Sequence, residues 1–387
     1  MATLNLPVGG GKLAPYAMRP PRSFPAMQPP FNRIAYAAAH VVAAPAADAD
    51  PWLDAAIDWG RTIAFRRHLW SLGLGVAEAM DTAQRGMGVD WSTSLQLIAR
   101  SIDAAREFSG ALLASGTGTD HLEPDDALTV DDVIRAYEEQ CAAVEKLGGR
   151  IVLMASRALV KVARSPDDYA KVYGRILGQV REPVIIHWLG EMFDPALAGY
   201  WGSSDHGKAM DVAIDVIAAN AAKVNGVKIS LLDKDKEIAM RARLPSGVRM
   251  YTGDDFNYAE LIEGDAQGHS DALLGIFDAI APAAAAALGA LTRGDCATFR
   301  AVLAPTVPLS RHIFRAPTRF YKTGVVFMAY LNGHQDHFTL VGGQESARST
   351  LHLAELFRLA DAAGLLADAD MAASRMRAVM ATRGVEA

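Results

Sequence analysis

A (β/α)8 barrel is the fold this sequence predicts, on three observations. Eight short apolar runs lie between residues 33 and 276, with helix-patterned stretches between them. The runs are continuous rather than alternating, as suits parallel strands covered on both faces. No Gly-x-Gly-x-x-Gly follows the first run, so the rival doubly wound sheet lacks its usual phosphate-binding turn.

The elements follow in order. Residues 1–32 read as an extended N-terminal arm lying on the body or on a neighbouring subunit, with Gly9-Gly10-Gly11 ahead of Lys12 and prolines recurring from Pro15 to Pro30. Gly-Gly-Gly-Lys is not a phosphate loop, because the second glycine and the Lys-Ser/Thr ending are missing. The arm also lacks the continuous apolar stretch of a signal peptide. The barrel is expected over 33–292, its strands at 33–37, 72–77, 111–114, 151–154, 183–186, 226–229, 248–251 and 272–276. Among the helices, 137–147 stops at Gly148-Gly149, 167–180 starts after Ser165-Pro166, and 210–223 leads into Gly226. Residues 293–387 form a C-terminal helical extension. Helices are expected there at 321–331 and 346–363, covering the barrel flank or building a subunit contact. Leu353, Leu356, Phe357 and Leu359 carry more apolar surface than a flank needs, and Trp52 suits a contact too, so a homo-oligomer is expected.

Composition narrows the function. With 38 Lys and Arg against 44 Asp and Glu the chain is net −6, without a basic block. That argues against nucleic acid or an anionic membrane as partner. The longest apolar run, about 281–291, falls short of the ~20 residues that span a bilayer. Cys141 and Cys296 cannot form a disulfide framework and no C-x-x-C is present, so a reducing cytoplasm is the expected location.

Chemistry on such a barrel sits at the carboxyl ends of the strands. The second run leads into Glu78, Asp81 and Thr82, the third into Gly116-Thr117-Gly118-Thr119-Asp120-His121, and the fourth into Arg157. The fifth leads into His187 and Glu191, the seventh into Tyr251 and Asp254. The sixth differs, since Lys228 stands inside the run Gly226-Val227-Lys228-Ile229-Ser230. Turned outward, that lysine needs a salt-bridge partner; turned inward, it is a desolvated amine suited to attack a carbonyl.

Gly226-Val227-Lys228-Ile229-Ser230 resembles the Gly-Ile-Lys-Asp-Ser stretch of the dihydrodipicolinate synthase/N-acetylneuraminate lyase family. Thr252-Gly253-Asp254-Asp255 resembles that family's Ser-Gly-Asp-Asp, and Asp278-Ala279-Ile280-Ala281-Pro282 its Ala-Asn-Val-Ala-Pro. The three matches are collinear, the strand order from Arg33 to Pro282 fits throughout, and the resemblance covers about two thirds of the chain. The resemblance implies a class I aldolase barrel in which Lys228 forms a Schiff base, with no cofactor. The departures are as informative. Glu78-Ala79-Met80-Asp81-Thr82 stands where the family's Gly-Thr-Thr-Gly-Glu binds a carboxylate, Ala155-Ser156-Arg157 replaces its proton-shuttling tyrosine, and His187-Trp188-Leu189-Gly190 its Tyr-Asn pattern.

The expected function is therefore a Schiff-base lyase, aldolase or dehydratase acting on a small, sugar-derived oxo compound. Lys228 is the nucleophile and His187 the acid/base; the substrate-binding set is Glu78, Asp81, Thr82, Asp120, Arg157, Glu191, Tyr251 and Asp254. The Gly116–Thr119 turn offers backbone N–H groups to an anion or is a plain strand-to-helix turn. Two alternatives remain open. One is a metal-dependent lyase, isomerase or epimerase with a divalent ion on Glu78, Asp120, His121 and Asp254; the other is a non-catalytic barrel used for binding or assembly.

Overall fold

The computed structural model describes residues 2–25, 27, 29–123, 125 and 127–385. Near the start, β1 (Thr3–Gly9) and β2 (Lys12–Ala17) pair antiparallel. The eight strands that follow are β3 (Ala35–Ala38), β4 (Gly75–Glu78), β5 (Leu113–Thr117), β6 (Arg150–Leu153), β7 (Val184–Leu189), β8 (Val224–Ser230), β9 (Arg249–Thr252) and β10 (Asp271–Leu274). They close into a parallel barrel in the order β10-β3-β4-β5-β6-β7-β8-β9. Every predicted run overlaps one of these strands.

Alternation along the strands sorts side chains into two layers. Tyr36, Ala77, Ala114, Val152, Ile185, Tyr251 and Leu273 fill the barrel, while Val76, Ile151, Ile186, Val227 and Met250 pack outward against the helices. The helices start where their caps dictate. Thr129 and Asp132 form a reciprocal capping box at the head of Val130–Lys146, and Ser165 and Asp168 do the same for Pro166–Gln179.

One expectation gains detail and one is corrected. The arm begins as a hairpin: Gly9, Gly10 and Gly11 all have positive φ and make the turn between β1 and β2. The hairpin docks on the helix Thr350–Ala362, where Tyr16 donates to Asp361 at 2.7 Å and Arg358 donates to the Pro7 carbonyl at 2.8 Å. The apolar residues of that helix are also not surplus, because Leu353, Leu356 and Phe357 are fully buried in their own chain and Leu359 packs on its core. Trp52 and Leu53 do stay exposed, at 81% and 76%. Among the described residues, no helix is long and apolar enough to cross a membrane.

Candidate active site

On β8, Val227 and Ile229 pack outward, so Lys228 between them points into the barrel. Its side chain reaches a small chamber at the carboxyl-end mouth, walled by Met80, Asp81, Thr82, Asp255, Phe193 and Tyr321. The chamber is about 10 Å³, room for about one water. Gly253 makes space for the lysine, since a Cβ there would lie 2.8 Å from Lys228 Cε. Burial lowers the Lys228 pKa, and Asp255 and Asp81, the nearest charges, pull it partly back.

Asp255 follows β9 and accepts the Ile276 N–H at 2.9 Å. Burial raises its carboxyl to about 7, against the lowering effect of Lys228. Tyr321 comes from outside the barrel, from the first turn of the helix Tyr321–Leu331. Its hydroxyl shares a 2.8 Å hydrogen bond with Thr82 Oγ1, and its ring stacks on Phe314 at 4.3 Å between centroids. Burial, followed by the nearby Asp81, drives the phenol well above its ordinary pKa. A buried amine, a carboxyl titrating near neutrality and an oriented phenol therefore wall one chamber.

Beside it opens a cavity of about 390 Å³, which shares Asp81 and Leu189 with the lysine chamber. His187 lines this outer cavity and stands in register with Lys228 across β7 and β8. Its Nε2 lies 3.2 Å from Ser230 Oγ, its Nδ1 is buried without a partner among the described residues, and burial, then Lys228, holds the ring neutral. Asp120 and Arg157 line the same cavity, each ion-paired: Asp120 with Arg85 at 2.7 Å, Arg157 with Asp194 at 2.5 Å. The Gly118 N–H, offered above to an anion, is already given to Gln140 at 2.7 Å.

Four expected residues lie elsewhere. Glu78 is on the outward face of β4, fully buried in a two-pronged ion pair with Arg66 at 2.8 and 2.9 Å and bonded to Ser101. It is a structural carboxylate between barrel and helices. Tyr251 fills the barrel interior, and its hydroxyl turns away from the mouth to Asn225 at 2.7 Å. Asp254 closes a turn, accepting from the N–H groups of Phe256 and Asn257 and from the Asn257 amide, so its neighbour Asp255 takes the place at the lysine. Glu191 pairs with His206 at 3.2 Å and walls neither chamber.

The proposed metal ligands are likewise not gathered. Glu78 faces Arg66, Asp254 its own turn, and Asp120 Arg85, while His121 meets Gln140 at 2.7 Å and Glu139 at 3.4 Å. Among the described residues, no group of three or more His, Cys, Asp or Glu side chains is placed to hold a metal ion.

Sequence reasoning missed Asp255, Tyr321 and Ser230 as chamber walls, together with Lys322. Lys322 is a second buried lysine, pushed down to about 8 by burial, whose amine donates to the Arg319 carbonyl at 2.9 Å.

Comparison with known proteins follows the same lines. The model of the family described as "Protein of unknown function (DUF993)" matches residues 4–385. No curated protein matches. Among solved structures, dihydrodipicolinate synthase from Aquifex aeolicus is similar at 11% identity and a TM-score of 0.64, over 86% of this chain and 99% of that one. A prophage protein of the dihydrodipicolinic acid synthase family from E. coli K12, in complex with pyruvate, is similar at 12% and 0.65 over the same shares. The chloride-inhibited dihydrodipicolinate synthase from Acinetobacter baumannii, complexed with pyruvate, is similar at 16% and 0.62, again over 86% and 99%. At these identities the likeness shows the fold: a dihydrodipicolinate synthase-like barrel in a divergent sequence.

Proposed function

The chain belongs to the DUF993 family, and we propose that it is a class I lyase that holds a small, sugar-derived oxo compound as a Schiff base on Lys228. The observation that carries this reading is Lys228 itself: a buried amine aimed into a small chamber whose walls include a near-neutral carboxyl and a phenol. The covalent lysine does the work of a cofactor.

The steps follow from the groups present. The neutral amine adds to the carbonyl carbon, and the oxygen leaves as water after taking up two protons. The resulting iminium accepts the electron pair of a breaking bond on the neighbouring carbon, whether to hydrogen, carbon or oxygen. Asp255, titrating near neutrality, is suited to move protons to and from the nitrogen. Tyr321, held by Thr82, is suited to hand a proton to the substrate and take it back, the task first given to His187. His187, neutral and bonded to Ser230, orients what enters from the outer cavity. In this account the barrel of 33–292 supplies the lysine and the extension of 293–387 completes the site.

The test is proton exchange. In D2O the protein should exchange the carbon-bound protons of dihydroxyacetone, read by NMR. Lys228→Ala should abolish the exchange, and Tyr321→Phe should slow it by ~100-fold or more. Exchange that survives in Lys228→Ala contradicts the proposal.

The same reading places the protein in a reducing cytoplasm with Cys141 and Cys296 free. It also assembles copies through the exposed Trp52 and Leu53, which light scattering would show as a mass above 41.3 kDa.

A further inference from the structure

We infer that the compound taken at Lys228 is a neutral, polyhydroxylated keto compound with no carboxylate beside its carbonyl. The inference rests on the lysine reading above and specifies its substrate. The lysine chamber has room for little more than the reacting carbonyl, so the rest of the molecule must lie in the 390 Å³ cavity outside it. Asp81 walls both spaces and therefore faces both ends of whatever is bound.

An anion needs unpaired donors, and this site has committed most of its own. Arg85 spends its guanidinium within the fold: Nε and Nη2 on Asp120, Nη2 also on Gln140, and Nη1 on the carbonyls of Gly116 and Ala79. That accounts for all five N–H groups. The Gly118 N–H is taken by Gln140, and Arg157 gives its Nε to Asp194; its terminal N–H groups are the donors left at the cavity, on a side chain whose charge Asp194 already matches. Lys322, the other nearby cation, is not among the residues walling either chamber.

Acceptors, in contrast, are in surplus. Asp81, Asp90, Asp120, Glu123 and Asp194 line the outer cavity against two arginines. The Asp81 carboxylate accepts no hydrogen bond from the described residues, only its backbone carbonyl accepting the Gln84 N–H at 2.9 Å, and His187 keeps a buried ring nitrogen without a partner among them. Free carboxylates accept from hydroxyls, and a neutral imidazole either accepts or donates; an incoming carboxylate beside Asp81 is repelled.

The test compares trapping of three carbonyl compounds. Erythrulose is neutral and hydroxylated, pyruvate carries a carboxylate, and dihydroxyacetone phosphate carries a phosphate. Borohydride delivers hydride to the iminium carbon and leaves a stable secondary amine, which intact-protein mass spectrometry quantifies at each concentration. Half-saturation should come at a concentration at least about tenfold lower for erythrulose than for either anion, and Asp81→Asn should narrow the gap to pyruvate by about tenfold. The Asp81 carboxylate makes no hydrogen bond to the described residues, and its backbone carbonyl keeps the Gln84 N–H whatever the side chain, so its amide variant should fold. Pyruvate trapping at or below the erythrulose concentration overturns the inference and leaves the lysine reading standing. An unchanged ratio in Asp81→Asn removes its cause and overturns it as well. Absence of adduct with all three compounds overturns the lysine reading, and this inference with it.

Discussion

Replacing Gly253 with alanine probes how closely the chamber is built around its lysine. A Cβ at this position would sit 2.8 Å from Lys228 Cε, 2.2 Å from Ser230 Oγ and 2.6 Å from the Ile229 carbonyl oxygen. Carbon atoms in contact settle at ~3.5–4.0 Å, so the methyl overlaps the lysine stem by roughly 1 Å. Ser230 can rotate away only by giving up His187, and the Ile229 oxygen is ladder backbone that cannot swing. Moving the lysine stem alone does not clear the two closer contacts, so the Gly253 backbone and the Ser230 hydroxyl shift with it, and the lysine loses its place. Overpacking of this kind costs ~1–3 kcal/mol of stability, and a displacement of ~1 Å at a reacting atom costs ~100-fold in rate. The assay pairs urea unfolding with the rate of borohydride-trapped adduct formation on erythrulose. Gly178→Ala is the control: it lies in the helix Pro166–Gln179, where a Cβ meets nothing within 4 Å. That variant should gain ~0.5–1 kcal/mol and leave the adduct rate unchanged. A Gly253→Ala protein that forms adduct within about threefold of the wild-type rate would refute the reasoning, since the lysine would then not depend on the space the glycine leaves.

Three further outcomes are expected. Adduct formation should rise with pH as the Lys228 amine deprotonates, with a midpoint below the ordinary lysine value of 10.5, because burial lowers it. Asp255→Asn removes a charge that pulls that midpoint upward and should move it further down; a midpoint at or above 10.5 contradicts the buried-amine account. Burial also pushes Glu237 up to about 8 from 4.5, with the Ser270 and Thr252 hydroxyls bonded to it. The folded chain then holds a proton the unfolded chain has lost. That contribution is complete below pH 4.5 and disappears as pH rises to about 8, by up to ~1.4 kcal/mol per unit. Glu237→Gln should flatten this slope in urea midpoints, and an unchanged slope assigns the effect elsewhere. Glu78→Gln leaves the Arg66 guanidinium buried without its counter-charge and should cost ~3–5 kcal/mol. The adduct yield per folded molecule should stay the same, and a selective loss of adduct would return Glu78 to the site.

The barrel was legible because its evidence is repeated: eight apolar runs, each bounded by turn residues, leave little room for another architecture. Lys228 was legible as a charge in the middle of such a run, where Arg33 and Arg249 stand towards the amino ends of theirs. The alternation that turns Lys228 inward also turns Glu78 outward, beside Val76 and opposite to Ala77, and applying it to β4 would have moved Glu78 to the helix layer. Asp254 and Asp255 could not be separated that way, because the strand ends at Thr252 and the turn decides which carboxylate faces the chamber. Tyr321 carried no local signal. Its helix could be read, but the face it covers depends on contacts hundreds of residues away, such as Thr82, which no nearby pattern encodes. The hairpin within the arm was not legible, because three glycines suit a loop and a tight hairpin turn equally well, and the partner that fixes the choice is the distant helix Thr350–Ala362.

The central claim, that Lys228 is the nucleophile, meets its most direct test in a peptide map of the borohydride-reduced protein. Lys322 is the natural rival, buried and pushed down to about 8 at the edge of the same region. With erythrulose as the carbonyl compound, the account predicts one added mass, confined to the peptide bearing Lys228 and absent from Lys228→Ala. An adduct on the peptide bearing Lys322, or one that persists in Lys228→Ala, would contradict it.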